Sequence, residues 1–128
     1  MAKTIITAAL TGAVTPAGYD IPETPEQIAK CAYECWQAGA SVVHLHMRDD
    51  NGAGVMDPLK FYETVKAIRA YKDCDVIVNC PSSGDNRVSD DSPYGNAMRM
   101  LHHKNVPGIE MGTFDASSFN WGIPGGVF

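Results

Sequence analysis

Four short segments rich in apolar and β-branched residues recur along the chain, and each predicts a β-strand. The third is mostly apolar, which is typical of a strand covered on both faces. Residues 113–128, after the last of them, show no clear period. The predicted strands span residues 3–11, 41–47, 75–80 and 108–112.

The first helix is predicted by three signals at its start. Thr24 is an N-cap residue, Pro25 occupies the first helical position, and Gln27 completes a capping box. Gly39 follows at the position where a left-handed residue ends a helix. Apolar residues at helical spacing predict one buried stripe, formed by Ile28, Cys31, Ala32 and Cys35.

Two further segments repeat the combination of a capping residue and a proline. Asp57-Pro58 predicts the start of a second helix, and Ser92-Pro93 predicts the start of a third, which Val106-Pro107 ends. Polar loops follow the second and third strands, over residues 48–57 and 81–91. The predicted apolar stripes are Phe61, Val65 and Ile68 in the second helix, and Ala97, Met98 and Leu101 in the third.

Strands and helices therefore alternate as βαβαβαβ, which predicts an α/β fold with parallel strands and right-handed crossovers. A complete (β/α)₈ TIM barrel needs roughly 250 residues, and this chain has 128. We expect residues 1–128 to form the N-terminal half of one barrel domain, with no second domain. The alternative is a small open doubly wound sheet. A half barrel would expose the edges of its first and fourth strands, so we expect it to aggregate, pair with another copy or require its other half.

Composition excludes several classes of protein. Hydrophobic residues make up 45% and charged residues 20% of the chain, which is enough apolar material for a core. No apolar run is long enough to span a membrane, and the N-terminus lacks a signal-peptide pattern. The formal net charge of −5 argues against a nucleic-acid partner.

Cysteine usage favours a cytoplasmic protein. No C-x-x-C pair occurs, so neither a zinc ribbon nor a thioredoxin-type motif is expected. We interpret the cysteines as small buried hydrophobes, with a reactive thiol as the alternative for Cys80, which adjoins a candidate site. The four residues are Cys31, Cys35, Cys74 and Cys80.

The His-x-His pair is the sharpest chemical signal in the sequence. His44 and His46 lie two apart near the end of the second strand, so strand alternation places both imidazoles on one face. Active sites of α/β folds lie at the carboxyl ends of the strands. Two neutral imidazoles there favour a zinc, cobalt or nickel site, with a hydrogen-bonded core pair as the alternative.

No third ligand or general base is obvious. Glu110 is a possible ligand, although a loop-facing or salt-bridged glutamate is the favoured interpretation. Asp49 lies beside the pair, and we interpret it as a loop cap or a partner of Arg48. His102 and His103, near the predicted end of the third helix, are interpreted as favourable contacts with the helix dipole.

The loop after the third strand is the second candidate site. Ser82 and Ser83 supply hydroxyls, and Gly84 allows close approach of a carboxylate to backbone N–H groups. An ordinary turn is the alternative. Residues 113–122 would reach the same rim, with Thr113 and Asn120 as polar contacts and with Phe119 and Trp121 packing.

A series of motifs along nearly the whole chain resembles the β-keto acid cleavage enzymes. The stretch AGASVVHLHMRD is specific in combination, although each part alone is weak. The motifs are TAALTGA at residues 7–13, TPEQIA at 24–29, AGASVVHLHMRD at 38–49, Ser82-Ser83-Gly84, Gly112-Thr113 and residues 120–122.

The resemblance implies a (β/α)₈ barrel about twice this length and assembly into a homo-oligomer. It also implies a divalent metal, typically zinc, held by His44, His46 and a glutamate from a later strand. The implied reaction is a retro-Claisen-type exchange, in which a β-keto acid and acetyl-CoA give acetoacetate and a new acyl-CoA. The pocket for the keto acid's carboxylate would be lined by Ser82, Ser83, Gly84 and Thr113.

Two features depart from the family pattern. The glutamate ligand, the acidic base and the arginine that orients it belong to the family's second half, so we expect them beyond Phe128. Where the family reference has a glutamate suited to an amino-bearing substrate, this chain carries Val14. We therefore expect a neutral or differently charged β-keto acid.

Two other function classes stay open on the sequence alone. One is a zinc hydrolase of the amidohydrolase type, which also uses His-x-His but places it at the end of the first barrel strand. The other is a non-catalytic half-barrel fragment that keeps the fold without a complete site. Dependence on acetyl-CoA distinguishes acyl transfer from hydrolysis.

Overall fold

A computed structural model describes residues 3–13, 17–83 and 100–113, together with the backbone of residues 122–123 and 126–127. It contains three helices and eight short strands within these ranges. In chain order they are β1 Thr7–Ala9, α1 Pro25–Gln37, β2 Val42–His44, β3 Met47–Arg48, β4 Gly54–Val55, α2 Pro58–Arg69, β5 Ile77–Cys80, α3 Leu101–Asn105, β6 Met111–Gly112, β7 Gly122–Ile123 and β8 Gly126–Val127.

The central feature is a four-stranded parallel sheet in the order β1-β2-β5-β6. Spatial order follows chain order, as right-handed βαβ crossovers between neighbouring strands require. The register places Ala9 beside His44 and His44 beside Asn79. The predicted α/β arrangement with parallel strands is confirmed, and β1 and β6 form the two edges of this sheet.

Helix α1 begins as the sequence predicts. The Thr24 hydroxyl accepts a hydrogen bond from the backbone N–H of Gln27 at 3.3 Å, and Gln27 Oε1 accepts one from the backbone N–H of Thr24 at 3.1 Å. This reciprocal pair satisfies two N–H groups that an open helix end would leave unpaired. Gly39 follows the helix with a φ of 106°, the left-handed conformation expected there.

Helix α2 is also capped as predicted. The Asp57 carboxylate accepts a hydrogen bond from the backbone N–H of Leu59 at 2.9 Å, and Pro58 occupies the first turn. The predicted stripe of Phe61, Val65 and Ile68 is buried. In α1 the stripe is shifted, because Ile28, Ala29 and Ala32 are buried whereas Cys31 and Cys35 are half-buried at its border.

The apolar core lies on one face of the sheet. Alternate strand residues Val43, Leu45, Val78 and Cys80 join the buried stripes of α1 and α2 in a single cluster. The residues between them, including His44 and Asn79, are absent from that cluster and point to the opposite face. The described helices therefore cover one face, whereas an open doubly wound sheet carries helices on both.

The second predicted strand ends earlier than expected. It was predicted to run to Met47, but β2 ends at His44, and Met47–Arg48 pairs antiparallel with Gly54–Val55 in a small hairpin. The physical reason is that the backbone N–H of His46 donates its hydrogen bond to the Thr11 hydroxyl and not to a neighbouring strand. The predicted loop over residues 48–57 thus contains strand β4.

The first, third and fourth strands are also shorter than predicted, and the irregular C-terminal segment contains the β7–β8 hairpin. Strand β6 begins at Met111 and not at Gly108, because Gly108, with a φ of 91°, forms a turn before the strand. The third helix ends before Val106-Pro107 as expected. Its predicted start at Ser92-Pro93 and its residues Ala97 and Met98 lie outside the described residues.

All four cysteines are unpaired. Cys74 and Cys80 are buried, and Cys31 and Cys35 pack against the core, so their interpretation as small hydrophobes is confirmed. Within the described ranges, no helix combines the length and apolar character needed to cross a membrane.

The capping box gives a direct test of the fold. Replacement of Thr24 by Ala removes the side-chain acceptor for the Gln27 N–H, so the free energy of unfolding should fall by about 1 kcal/mol. Urea titration at neutral pH measures the change. Thr24→Ser keeps a hydroxyl and should stay close to the parent protein, and equal stability of the Ala and Ser variants would contradict the assignment of the cap.

Candidate functional site

The site lies at the carboxyl end of the parallel sheet, on the face that the described helices leave uncovered. His44 is the last residue of β2, and parallel pairing places Asn79 of β5 beside it. His44 Nδ1 and Asn79 Oδ1 are 2.9 Å apart. Because an amide oxygen can only accept, Nδ1 carries the proton and His44 Nε2 has a free lone pair.

The two imidazoles of the His-x-His pair converge. Their Nε2 atoms are 3.1 Å apart, and the rings meet edge-on at 75°. Since His44 Nε2 is the acceptor, the arrangement requires His46 Nε2 to donate its proton to it. The sequence prediction that the two side chains share a face is therefore confirmed by the geometry.

The chain around His46 is fixed by Thr11, a buried residue that follows β1. The Thr11 hydroxyl accepts a hydrogen bond from the His46 N–H at 2.5 Å and donates one to the His46 carbonyl at 2.8 Å. One side chain thus satisfies both backbone groups where the strand leaves the sheet. Sequence reasoning missed this role, although a hydroxyl at the end of a strand next to His-x-His was a usable signal.

Arg48 links the residues that follow His46 to the loop after β1. Its side chain is buried, with 4% exposure, and its guanidinium donates to the backbone carbonyls of Gly12 and Ala13. The contacts tie the hairpin β3–β4 to the loop after β1. They also bring a fixed positive charge close to His46.

His46 is held in its neutral form. Burial, aided by the neighbouring His44 and by the Arg48 charge, lowers the pKa of His46 from 6.5 to about 4. A neutral imidazole is the form that binds a metal. The environment of His46 therefore disfavours protonation, which would compete with a cation.

The histidine pair fits two ligands of one metal ion. Two nitrogens bound to tetrahedral zinc at roughly 2.0–2.1 Å stand about 3.3 Å apart, close to the 3.1 Å between the Nε2 atoms. Asn79 supplies the outer hydrogen bond that orients a ligating imidazole. Among the residues that the structure describes, no group of three or more His, Cys, Asp or Glu side chains could hold a metal.

The two carboxylates near the motif have structural roles. Glu110 pairs with Arg69 at 2.6 Å and accepts from the Val78 N–H at 3.1 Å, so the favoured interpretation as a salt-bridged residue is confirmed. Asp49 Oδ1 accepts hydrogen bonds from the N–H groups of Asn51 and Ala53, and so caps the hairpin loop as predicted.

The second candidate loop begins at the same end of the sheet. Ser82 and Ser83 are half-buried directly after β5, and Thr113 follows β6 with its N–H bonded to the Cys80 carbonyl at 3.2 Å. Parallel pairing therefore brings the starts of these two loops together. The remaining predicted contacts, Gly84, Phe119, Asn120 and Trp121, lie outside the described residues.

One sequence interpretation near this loop is wrong, and one alternative is excluded. His102 is not a charged residue on a helix dipole, because burial, aided by His103, lowers its pKa to about 4. It stacks on Phe61 with ring centroids 4.1 Å apart and donates from Nε2 to the Pro81 carbonyl at 2.8 Å. Cys80 is not a reactive thiol, because burial raises its pKa to about 12.

Comparison with known proteins gives the family. The sequence model of the beta-keto acid cleavage enzymes matches residues 3–128, nearly the whole chain. This chain belongs to the beta-keto acid cleavage enzyme family. Its His-x-His begins at the last residue of β2, with β1 and α1 before it, whereas the amidohydrolase type has the motif at the end of the first strand.

Individual relatives within this family differ in substrate. The chain is 40% identical over 86 residues to a 3-keto-5-aminohexanoate cleavage enzyme of Fusobacterium nucleatum, covering 66% of this chain and 31% of that protein. It is 33% identical over 124 residues to a 3,5-dioxohexanoate:acetyl-CoA acetone transferase of Paraburkholderia graminis, covering 94% and 37%. It is 34% identical over 96 residues to a 3-dehydrocarnitine:acetyl-CoA trimethylamine transferase of Rhizobium meliloti, covering 73% and 31%. The chain thus spans about a third of the length of these relatives.

The buried His102 predicts a pH-dependent stability. Its pKa is about 4 when folded and 6.5 when unfolded, so the unfolded state binds more protons between these values and stability falls as pH falls through that window. The full loss is about 3 kcal/mol at or below pH 4. Urea unfolding at pH 7 and pH 4.5 measures this loss. Between the two pH values, the free energy of unfolding should fall less for His102→Phe than for the parent. Equal losses would contradict this account.

Proposed function

We propose that the protein carrying this chain is a divalent-metal-dependent acyltransferase that cleaves β-keto acids. The acetate part of the keto acid is acetylated by acetyl-CoA to give acetoacetate, and the remaining acyl group passes to CoA. The observation that carries the proposal is the convergence of His44 Nε2 and His46 Nε2, 3.1 Å apart at the carboxyl end of a parallel sheet. Family membership and the acetyl-CoA-dependent relatives support the reaction class.

His44 and His46 would hold the metal, which we propose to be zinc. A divalent ion bound there would act as a Lewis acid toward the keto oxygen of the substrate. Asn79 selects the neutral His44 tautomer that has its proton on Nδ1 and its lone pair on Nε2, and Thr11 fixes the backbone of His46. The third ligand and the general base are proposed to come from the rest of the protein, because Glu110 is engaged by Arg69 and Asp49 caps its own loop.

The carboxylate of the keto acid would bind at the start of the loops after β5 and β6. Hydroxyls and backbone N–H groups are suitable donors to a carboxylate, and such turns form anion-binding concavities. The residues proposed for this pocket are Ser82, Ser83, Gly84 and Thr113. The bond between the Thr113 N–H and the Cys80 carbonyl supports the proximity of the two loops.

We further propose that the four-stranded sheet is the first half of a (β/α)₈ barrel in a homo-oligomer. Two observations support the barrel: the strands follow chain order, and the described helices cover one face only. In a barrel, the uncovered face of His44 and Asn79 would line the interior. Met111 on that face, 44% exposed here, would then be enclosed.

The substrate is proposed to be a β-keto acid without an amino group. Val14, which lies outside the described residues, stands where an amino-binding glutamate is expected for the 3-keto-5-aminohexanoate enzymes. An apolar side chain offers no counter-charge for an ammonium group. The match to the 3,5-dioxohexanoate relative, which covers 94% of the present chain, supports a neutral substituent.

Isotope transfer tests the proposed function. The protein, expressed at the full length of its gene and loaded with zinc, is incubated with acetyl-labelled acetyl-CoA and a panel of β-keto acids. Mass spectrometry should detect labelled acetoacetate together with the acyl-CoA of the keto acid. Neutral keto acids should react at least tenfold faster than amino-bearing ones, since desolvating an unpaired ammonium disfavours its binding.

The controls separate the alternatives. His44→Ala and His46→Ala should lose zinc binding and reduce turnover by at least a hundredfold, whereas His103→Gln, which removes a histidine away from the pair, should retain both. Release of free acid without CoA would favour a zinc hydrolase instead. Absence of both zinc binding and turnover in the parent protein would support the third alternative, a non-catalytic half-barrel fragment.

A further inference from the structure

His102 makes a directed contact that the proposed reaction does not yet use. Its ring is fully buried, and Nε2 donates to the carbonyl of Pro81 at 2.8 Å. Pro81 is the residue between the end of β5 and Ser82. Because proline has no N–H, this carbonyl is the one backbone group of Pro81 that can form such a hydrogen bond.

The turn after β5 is therefore held from two directions. The Cys80 carbonyl accepts from the Thr113 N–H at 3.2 Å, and the Pro81 carbonyl accepts from His102. The first bond joins the two loops to each other. The second joins them to α3, whose His102 ring is braced against Phe61 of α2 at 4.1 Å and 18°.

Packing alone does not account for a histidine at this position. Phenylalanine would stack on Phe61 equally well and has no polar atoms. His102 Nδ1, by contrast, is buried without a hydrogen-bond partner among the described residues, which costs stability. The distinguishing contribution of the histidine is thus the Nε2–H that reaches Pro81.

We propose that His102 is a positioning residue for substrate recognition: its bond to the Pro81 carbonyl sets the turn so that Ser82 and Ser83 face the carboxylate of the β-keto acid. The inference rests on the proposed function and extends it to a residue that does not touch the substrate. It predicts an effect on carboxylate binding, with the metal site at His44 and His46 unaffected.

Two substitutions distinguish the contribution of the His102 Nε2–H donor from that of the stacked ring. His102→Phe keeps the stack on Phe61 and removes the donor, whereas His102→Gln places an amide N–H near the position of Nε2. The zinc-loaded, full-length protein is titrated with acetoacetate. His102→Phe should bind it about tenfold more weakly than the parent, because the turn that carries Ser82 and Ser83 has lost one hydrogen bond that positions it. His102→Gln should recover most of the loss, and zinc affinity should be the same in all three proteins.

Amide hydrogen exchange gives a readout that needs no ligand. Exchange at Ser82 and Ser83 should be faster in His102→Phe than in the parent, and His102→Gln should restore protection. If His102→Phe does not fold, His102→Leu provides a second donor-free variant for the same comparison.

The outcomes are distinct. Parent-like acetoacetate affinity and parent-like exchange in a folded donor-free variant would overturn the role of His102 alone. Failure of the parent protein to bind zinc or acetoacetate would overturn the proposed function together with this inference. Loss of acetoacetate binding in both Phe and Gln variants would assign His102 to packing and overturn the positioning role.

Discussion

The register of β2 between β1 and β5 is the constraint on which the rest of the structure depends. It sets Val43 and Leu45 into the helix-covered core and turns His44 to the opposite face, beside Asn79. A slip of one residue would exchange these faces. It would bury an imidazole in an apolar cluster and expose two fully buried side chains, so the apolar core itself specifies the position of the site.

Given that register, a few hydrogen bonds fix the geometry of the site. Asn79 fixes which nitrogen of His44 carries the proton, and Thr11 fixes the backbone of His46 just after the strand ends. Arg48 then anchors the adjoining loop. Burial, aided by His44 and Arg48, keeps His46 neutral. The two Nε2 atoms are brought together before any ligand binds, which is the preorganisation that metal and catalytic sites need.

Local signals in the sequence were enough for the helix starts and for the shared face of His44 and His46. Thr24 and Gln27 cap within one turn, and strand alternation is a local rule. The end of β2 was not predictable in this way, because it depends on Thr11, a residue 35 positions from His46. His102 was misassigned for the same reason: its pKa is lowered by burial, aided by His103, and the contacts that bury it, with Phe61 and Pro81, arise only in the tertiary fold.

The most direct test of the histidine pair as a metal site is nitrogen-15 NMR of the imidazoles, with and without one equivalent of zinc. In the metal-free protein we expect the ring proton of His44 on Nδ1 and that of His46 on Nε2. Zinc should shift both Nε2 resonances and move the His46 proton to Nδ1, leaving the His102 ring unchanged. Unshifted Nε2 resonances of His44 and His46 in the presence of zinc would contradict the account.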